Sequence, residues 1–175
     1  MKYADDAMVA CVFREVPKNG KILEFEFLDE RFANFFSFAG FDFVSLSSDE
    51  KLVKAAKNTM LGGKTFYNLN DFDFSAFDFD CLLCHLFISY TDKTQNFIEN
   101  LKKILQANKK FIVSALSPND SRAKNGIKGF ESSELKELFK DFKNLDINLM
   151  QTTYENKSII NEYFIITGKK HENTK

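Results

Sequence analysis

The sequence predicts an α/β protein, a doubly wound three-layer sandwich around a mostly parallel sheet, and three features carry that expectation. Strand-like and helix-like apolar spacings alternate along the chain, the pattern of repeated strand–helix–strand crossovers. Asp78 to Phe87 form a nearly unbroken apolar run, as a strand buried on both faces requires. Two closing strand-like segments, Leu145 to Gln151 and Glu162 to Thr167, face each other across the polar turn YENKS and add an antiparallel edge.

The elements follow in order. Lys21 to Phe27 alternates as a strand and runs into a helix on which Phe32, Phe35, Phe36 and Ala39 recur at helical spacing. Asp29 is placed to cap that helix and Gly40 to end it. Phe41 to Leu46 is a second strand. Ser47 and Glu50 have the spacing of a capping box ahead of a short helix through Lys57, with Gly62 and Gly63 in the loop beyond. Thr65 to Leu69 reads as a weaker third strand and Asp78 to Phe87 as the fourth. Thr91 to Ala107 is a helix whose Phe97, Ile98, Leu101, Ile104 and Leu105 form one stripe. Lys110 to Ala115 is a fifth strand. A polar loop with Pro118 and Gly126 leads to a helix from Ser132 to Phe142, with Leu135, Leu138, Phe139 and Phe142 on one side. With the closing pair this gives seven strands, the last antiparallel.

A chain of 175 residues fits one domain, 1–175, with an N-terminal segment at 1–19 and a polar tail at 171–175. Lys and Arg (24) nearly balance Asp and Glu (25), so no global field draws the protein to nucleic acid or to an anionic membrane. There is no apolar run of about 18 residues, and MKYADDAMV lacks a signal peptide's basic start and apolar core, so a cytoplasmic location is expected. Cys11, Cys81 and Cys84 are an odd number without framework spacing, which suits a reducing compartment. Cys81 and Cys84 have a redox or zinc spacing, but residues three apart on a strand point to opposite faces and no second pair follows; buried apolar cysteines are expected.

In a doubly wound sheet the ligand crevice lies at the carboxyl ends of the strands where the winding reverses, beside the first strand. That place is GKILEFEFLDERFANFF, beginning at Gly20, and its turn contains no glycine. With PKNGKILEFEFLDERFANFFSFAGFDFVSLSSDEKLVKAAK, the FDFDCLLCHLF strand, FIENLKKILQANKKFIV, GFESSELKELFKDF and the closing EYFIITGKK, the chain resembles class I S-adenosylmethionine-dependent methyltransferases nearly end to end. It is most similar to the small tellurite-resistance and related small-molecule enzymes. The resemblance implies a Rossmann-like sheet and an S-adenosylmethionine site. It places the family's acidic and Arg residues at Glu24 and Arg31, and the family's three glycines at Glu26, Leu28 and Glu30. The acid that takes the ribose hydroxyls falls on Ser47. The residue that contacts the adenine amino group falls best on Asn68, with Asn70 and Asp71 as competitors. Family members also carry an N-terminal segment that can cover the cofactor; here Tyr3, Asp5 and Asp6 lie there, and any lid is partial.

The replaced glycines would have permitted a tight turn, close approach of the cofactor to the backbone and positive φ. A carboxylate from Glu26 or Glu30 about 4 Å from the methionine carboxylate would cost on the order of 4 kcal/mol at an effective dielectric near 20. Losing the charged ribose acceptor would cost roughly 1.5 to 3 kcal/mol more. Ordinary cofactor binding is therefore expected to be lost. The plainer reading of Glu26 and Glu30 as solvated turn residues stays open. So does a crevice reshaped by Phe25, Phe27 and Leu28 for another small ligand. Glu24, Glu26, Asp29 and Glu30 could offer oxygen to Mg2+ or Ca2+, but without an aspartate-rich loop of recognised spacing no metal is expected. His85, near the carboxyl end of the fourth strand, is the one candidate for surviving catalytic chemistry; His171 lies in the polar tail. These features point to a methyltransferase-like protein that is non-catalytic or partner-dependent. The alternative is an active small-molecule or metalloid-oxyanion methyltransferase with an atypical cofactor loop, in which case the cofactor is S-adenosylmethionine. A small molecule or a protein is the expected partner, and an apolar sheet edge or the Phe-rich first helix is compatible with a dimer.

Overall fold

The computed structural model describes residues 5–58, 65–74, 76–153 and 160–171. Gly62, Gly63, Tyr3, the YENKS turn and the end of the polar tail lie outside the described residues. The chain divides into two compact units, Met1–Cys84 and His85–Lys175. The fold is α/β with a seven-stranded mixed sheet of strand order β3-β2-β1-β4-β5-β7-β6.

The first unit opens with a helix the sequence reading did not foresee, α1 (Asp6–Glu15). Asp5 caps it by accepting from the Met8 backbone N–H at 3.0 Å, and Met8, Cys11 and Val12 give it a buried stripe. Asp5 and Asp6, expected in a partial cofactor lid, are thus the cap and first residue of this helix. β1 (Lys21–Phe25) is the sheet's pivot in this unit, paired in parallel with β2 (Asp42–Ser47) on one side and β4 (Cys81–Cys84) on the other. Outside β2 lies β3 (Phe66–Asn68), also parallel. Between β1 and β2 runs α2 (Arg31–Phe38), which buries Phe32 and Phe36 and stops at Gly40, whose φ of +90° suits a residue without a Cβ. Between β2 and β3 runs α3 (Glu50–Lys57).

Two boundaries differ from expectation for local reasons. The expected ten-residue fourth strand is only Cys81–Cys84, and at its carboxyl end Leu86 turns the chain with φ +59°. The cap of α3 is Asp49, which accepts from the Lys51 and Leu52 N–H groups, and Ser47 belongs to β2 instead.

The second unit begins with a short helix, α4 (Phe87–Tyr90), and α5 (Thr94–Ile104), which buries Phe97, Ile98 and Leu101. β5 (Lys110–Leu116) follows, then α6 (Ser132–Leu138), opened by a capping interaction between Glu131 and Glu134. The predicted helix to Phe142 is thus one turn shorter, and Phe139 and Phe142 leave it to pack their rings on Phe111, with centroids 5.6 and 4.8 Å away. β6 (Lys143–Thr153) and β7 (Ile160–Lys169) are the expected closing pair, and β7 is antiparallel to both β5 and β6. Gly168 lies against Phe111: a Cβ there would stand 2.7 Å from the ring.

Candidate functional site

The carboxyl end of β1 and the turn after it carry two buried acids, each hydrogen-bonded to a serine of β2. Glu24 is in register with Ser45, whose hydroxyl donates to Glu24 Oε2 at 2.7 Å. Burial pushes the Glu24 carboxyl up to about 8, with the Ser45 hydrogen bond opposing and Asp29 and Arg31 acting in opposite directions. At neutral pH Glu24 is therefore mostly protonated, a neutral hydrogen-bonding group inside the sheet.

Glu26 follows β1 with φ +54°, a left-handed conformation that glycine adopts without a Cβ penalty. The bulkier residue holds this shape because both ends of it are fastened. The Phe27 N–H donates to Leu46 O at 3.0 Å, and Glu26 Oε2 accepts from the Ser48 N–H at 2.9 Å and from the Ser47 hydroxyl at 3.4 Å. Only 7% of Glu26 is exposed. Its carboxylate therefore lies at the tip of β2, beside the residue that the resemblance matches to the ribose-binding acid. Ser47 Oγ meanwhile accepts from the Asp49 N–H at 3.1 Å.

The other glycine-matched positions behave differently. Leu28 is 40% exposed, and Glu30 is half-exposed at the start of α2 without a side-chain capping bond. Of the three side chains at the glycine-matched positions, Glu26 alone is buried. Arg31 forms a fork with Asp29, its Nε at 2.7 Å from Oδ1 and Nη2 at 2.5 Å from Oδ2, while its backbone N–H reaches Oδ1 at 3.1 Å. Asp29 thus does help start α2, and the turn's arginine is committed to its own aspartate. Among the described residues no group of three or more His, Cys, Asp or Glu is arranged to hold a metal ion.

Asn68 ends β3 opposite Ser47 and caps a single 3-10 turn (Leu69–Asp71) by accepting from the Asn70 N–H at 2.8 Å. It also lines an open recess of about 380 Å³ with Glu50, Val53, Lys54, Lys57 and Asn58. Neither Glu24, Glu26 nor Ser47 lines that recess, so Asn68 borders different space from the two acids.

In the second unit His85 is half-buried, its Nδ1 2.9 Å from Ser114 Oγ and its ring edge-on to Tyr163 at 6.3 Å. Ser114 Oγ also accepts from the Leu86 N–H at 2.9 Å and so holds the left-handed turn that ends β4. Cys81 and Cys84 are both buried, as expected of apolar cysteines.

A polar cluster that sequence reading missed lies in the same unit. Buried Glu162, on β7, receives the Ser117 hydroxyl and Asn119 Nδ2 (3.0 Å) on Oε1 and Gln151 Nε2 (2.5 Å) on Oε2. Asp120 accepts from the Glu162 N–H at 2.7 Å and holds Arg122 in a bidentate pair. The hydrogen bond from Ser117, then that from Gln151, holds Glu162 below the ordinary glutamate range. Burial pushes Asp120 up, but the hydrogen bonds from Arg122 and Glu162 outweigh it and leave the group lowered. The signals for this cluster were slight: an acid inside an otherwise apolar strand, and an S-P-N-D turn.

Neither a protein-family model nor a curated protein sequence matches the chain. Solved structures do. TehB from Haemophilus influenzae is 17% identical with a TM-score of 0.66, over 95% of this chain. This chain spans only 62% of that TehB structure. A SAM-dependent methyltransferase from Methanosarcina mazei is 14% identical with a TM-score of 0.67, over 93% of this chain and 98% of its own. The 1,6-didemethyltoxoflavin-N1-methyltransferase of Burkholderia thailandensis, solved with 1,6-didemethyltoxoflavin and S-adenosylhomocysteine bound, is 15% identical with a TM-score of 0.61, over 95% of this chain and 76% of its own. The fold is that of class I S-adenosylmethionine-dependent methyltransferases. No helix among the described residues is long and apolar enough to cross a membrane.

Proposed function

We propose that this protein uses a methyltransferase fold for binding rather than for methyl transfer, because its own Glu26 stands where the cofactor would lie. One observation carries the reading: the Glu26 side chain is folded into the tip of β2, 7% exposed and fastened to Ser47 and Ser48. At the tip of β2 the side chain fills space that a glycine would leave open, and a ligand carboxylate brought within about 4 Å of it would be opposed by about 4 kcal/mol at an effective dielectric near 20. Arg31, paired with Asp29, offers no compensation. If an intact site binds at about micromolar, near −8 kcal/mol, a loss of ~5 kcal/mol leaves millimolar affinity or weaker.

A second reading, an active small-molecule or metalloid-oxyanion methyltransferase, draws support from the backbone. The φ of +54° at Glu26 keeps the left-handed turn that a glycine would adopt, so the loop's path is retained although its side chain is not. In such an enzyme the cofactor would supply the methyl group and the protein would align the acceptor.

Restoring glycine at Glu26, Leu28 and Glu30 together with Ser47→Asp tests the first reading. Calorimetric titration with S-adenosylhomocysteine should show binding by the quadruple variant where the unmodified chain shows none. Equal affinity in both proteins would refute the role given to Glu26.

A further inference from the structure

Helix α2 buries Phe32 and Phe36, but its other rings face outward. Phe38 is 90% exposed and Phe35 39% exposed, and Phe13 of α1 is 52% exposed. The three are contiguous. Phe35 and Phe38 lie three apart on one helix face, and the Phe13 ring stands edge-on to Phe35 with centroids 6.4 Å apart. Phe13 is seated from beneath on buried Phe36 and Phe41, at 6.2 and 5.4 Å. Along α1 the same side continues through Val9 and Ala10, and beyond Phe38 the exposed Ala39 and Gly40 leave the surface low. Among the described residues, a Cβ built at Gly40 would meet only Asn19 Oδ1, at 3.5 Å.

Size and charge narrow what covers this patch. At roughly 200 Å² for a fully exposed phenylalanine, the three side chains expose on the order of 350 Å², as much as the largest apolar patch on a typical monomer. That approaches half of the roughly 800 Å² that each partner buries in a specific interface. Aromatic anchors at the centre of such an interface carry most of its energy. No charged residue occurs between Phe32 and Phe41, so the patch holds nothing that would select a nucleic acid or a charged peptide. The exposed charges nearest to it in the chain are of both signs, Asp6 and Arg14 on α1 and Lys18 and Asp42 beside β1 and β2, so an identical surface meets no single-sign field. The shape is its own complement: a projecting Phe38 stands beside low backbone, and rings offer one another both a face and an edge.

We propose that the α1–α2 face of the first unit is a two-fold contact between two copies of this chain. Phe38 of each copy seats against Ala39 and Gly40 of the other, with Phe13 and Phe35 around it. The contact lies at the end of α2 remote from the Glu26 turn, so it goes beyond the reading of the crevice and holds whether or not that crevice takes the cofactor.

Sedimentation equilibrium of the full chain tests it. A dimer dissociating at about micromolar is expected. Phe38→Asp should weaken it by about thirtyfold or more and Phe13→Ser by about tenfold, with circular dichroism showing both variants folded. Should Phe38→Asp unfold, Phe38→Ser reads the same contact without burying a charge. Leu149→Asp is the control, since Leu149 is 45% exposed on β6 in the other unit; that variant should stay dimeric. A chain that is monomeric at about 100 μM, a dimer equally tight in Phe38→Asp, or assembly that grows past two copies with concentration would overturn the proposal. Loss of the dimer in a folded Leu149→Asp would overturn it too, because any exposed apolar side chain would then serve.

Discussion

The buried acids of the first unit and those of the second solve the same problem in different ways. Glu24 and Glu26, at the end of β1 and in the turn after it, are surrounded by serines and backbone. Glu162 and Asp120 are surrounded by Ser117, Asn119, Gln151 and an arginine. Where donors are plentiful the charge persists, and both second-unit acids are held below their ordinary range. Where they are scarce, burial wins and Glu24 keeps its proton to about 8. A region that fully satisfies its acids is built for stability. A region that leaves an acid neutral ties its stability to pH instead.

The largest expected effect lies in the satisfied region. Glu162→Ala strands the Ser117, Asn119 and Gln151 donors, and denaturant unfolding should show a loss of about 4 kcal/mol. A loss under about 1 kcal/mol would mean that water replaces the carboxylate at little cost and that the two regions are alike.

The next effect is one of pH, with opposite signs in the two units. Glu24 holds a proton in the folded state up to about 8, whereas unfolded it gives one up near 4.5. Its stabilising share is complete below about 4.5 and declines as pH rises to about 8, by at most about 1.4 kcal/mol per unit. Asp120 and Glu162 have lowered values, so their share is present above the ordinary carboxylate range and disappears as pH falls below it. Glu24→Gln should flatten the neutral-to-alkaline decline and be worth about 2 kcal/mol in relative stability between pH 6 and 8. An identical slope in wild type and variant would show that Glu24 is ionised in the fold.

The smallest effect is a control on an exposed carboxylate. Asp49 caps α3 from the surface through the Lys51 and Leu52 N–H groups. Asp49→Ala should cost about 1 kcal/mol. A cost as large as that of Glu162→Ala would remove burial as the basis of the contrast.

The sequence made the strand–helix alternation legible because each apolar stripe, such as Phe97, Ile98 and Leu101 on α5, is buried where its spacing says. Element ends were less legible. The apolar run at Asp78–Phe87 hides the left-handed Leu86, a conformation no local rule assigns to leucine and one that the distant Ser114 hydroxyl holds in place. Helix α1 was missed because its apolar face is short, Met8, Cys11 and Val12, and its start depends on the Asp5 cap. At the site, Glu24, Glu26 and Ser47 were named from position, but the bond across from Glu26 to Ser47 and Ser48 joins residues more than twenty apart and exists only once β1 and β2 are paired. Leu28 and Glu30 share with Glu26 the match to the family's glycines, and the sequence alone did not show that the turn exposes those two and buries Glu26.

Calorimetric titration of the unmodified protein with S-adenosylmethionine and S-adenosylhomocysteine tests the central claim most directly. With Glu26 in the tip of β2, no binding tighter than about millimolar is expected for either compound. A dissociation constant of about a micromolar or below would contradict the closed crevice and make the active methyltransferase the better reading.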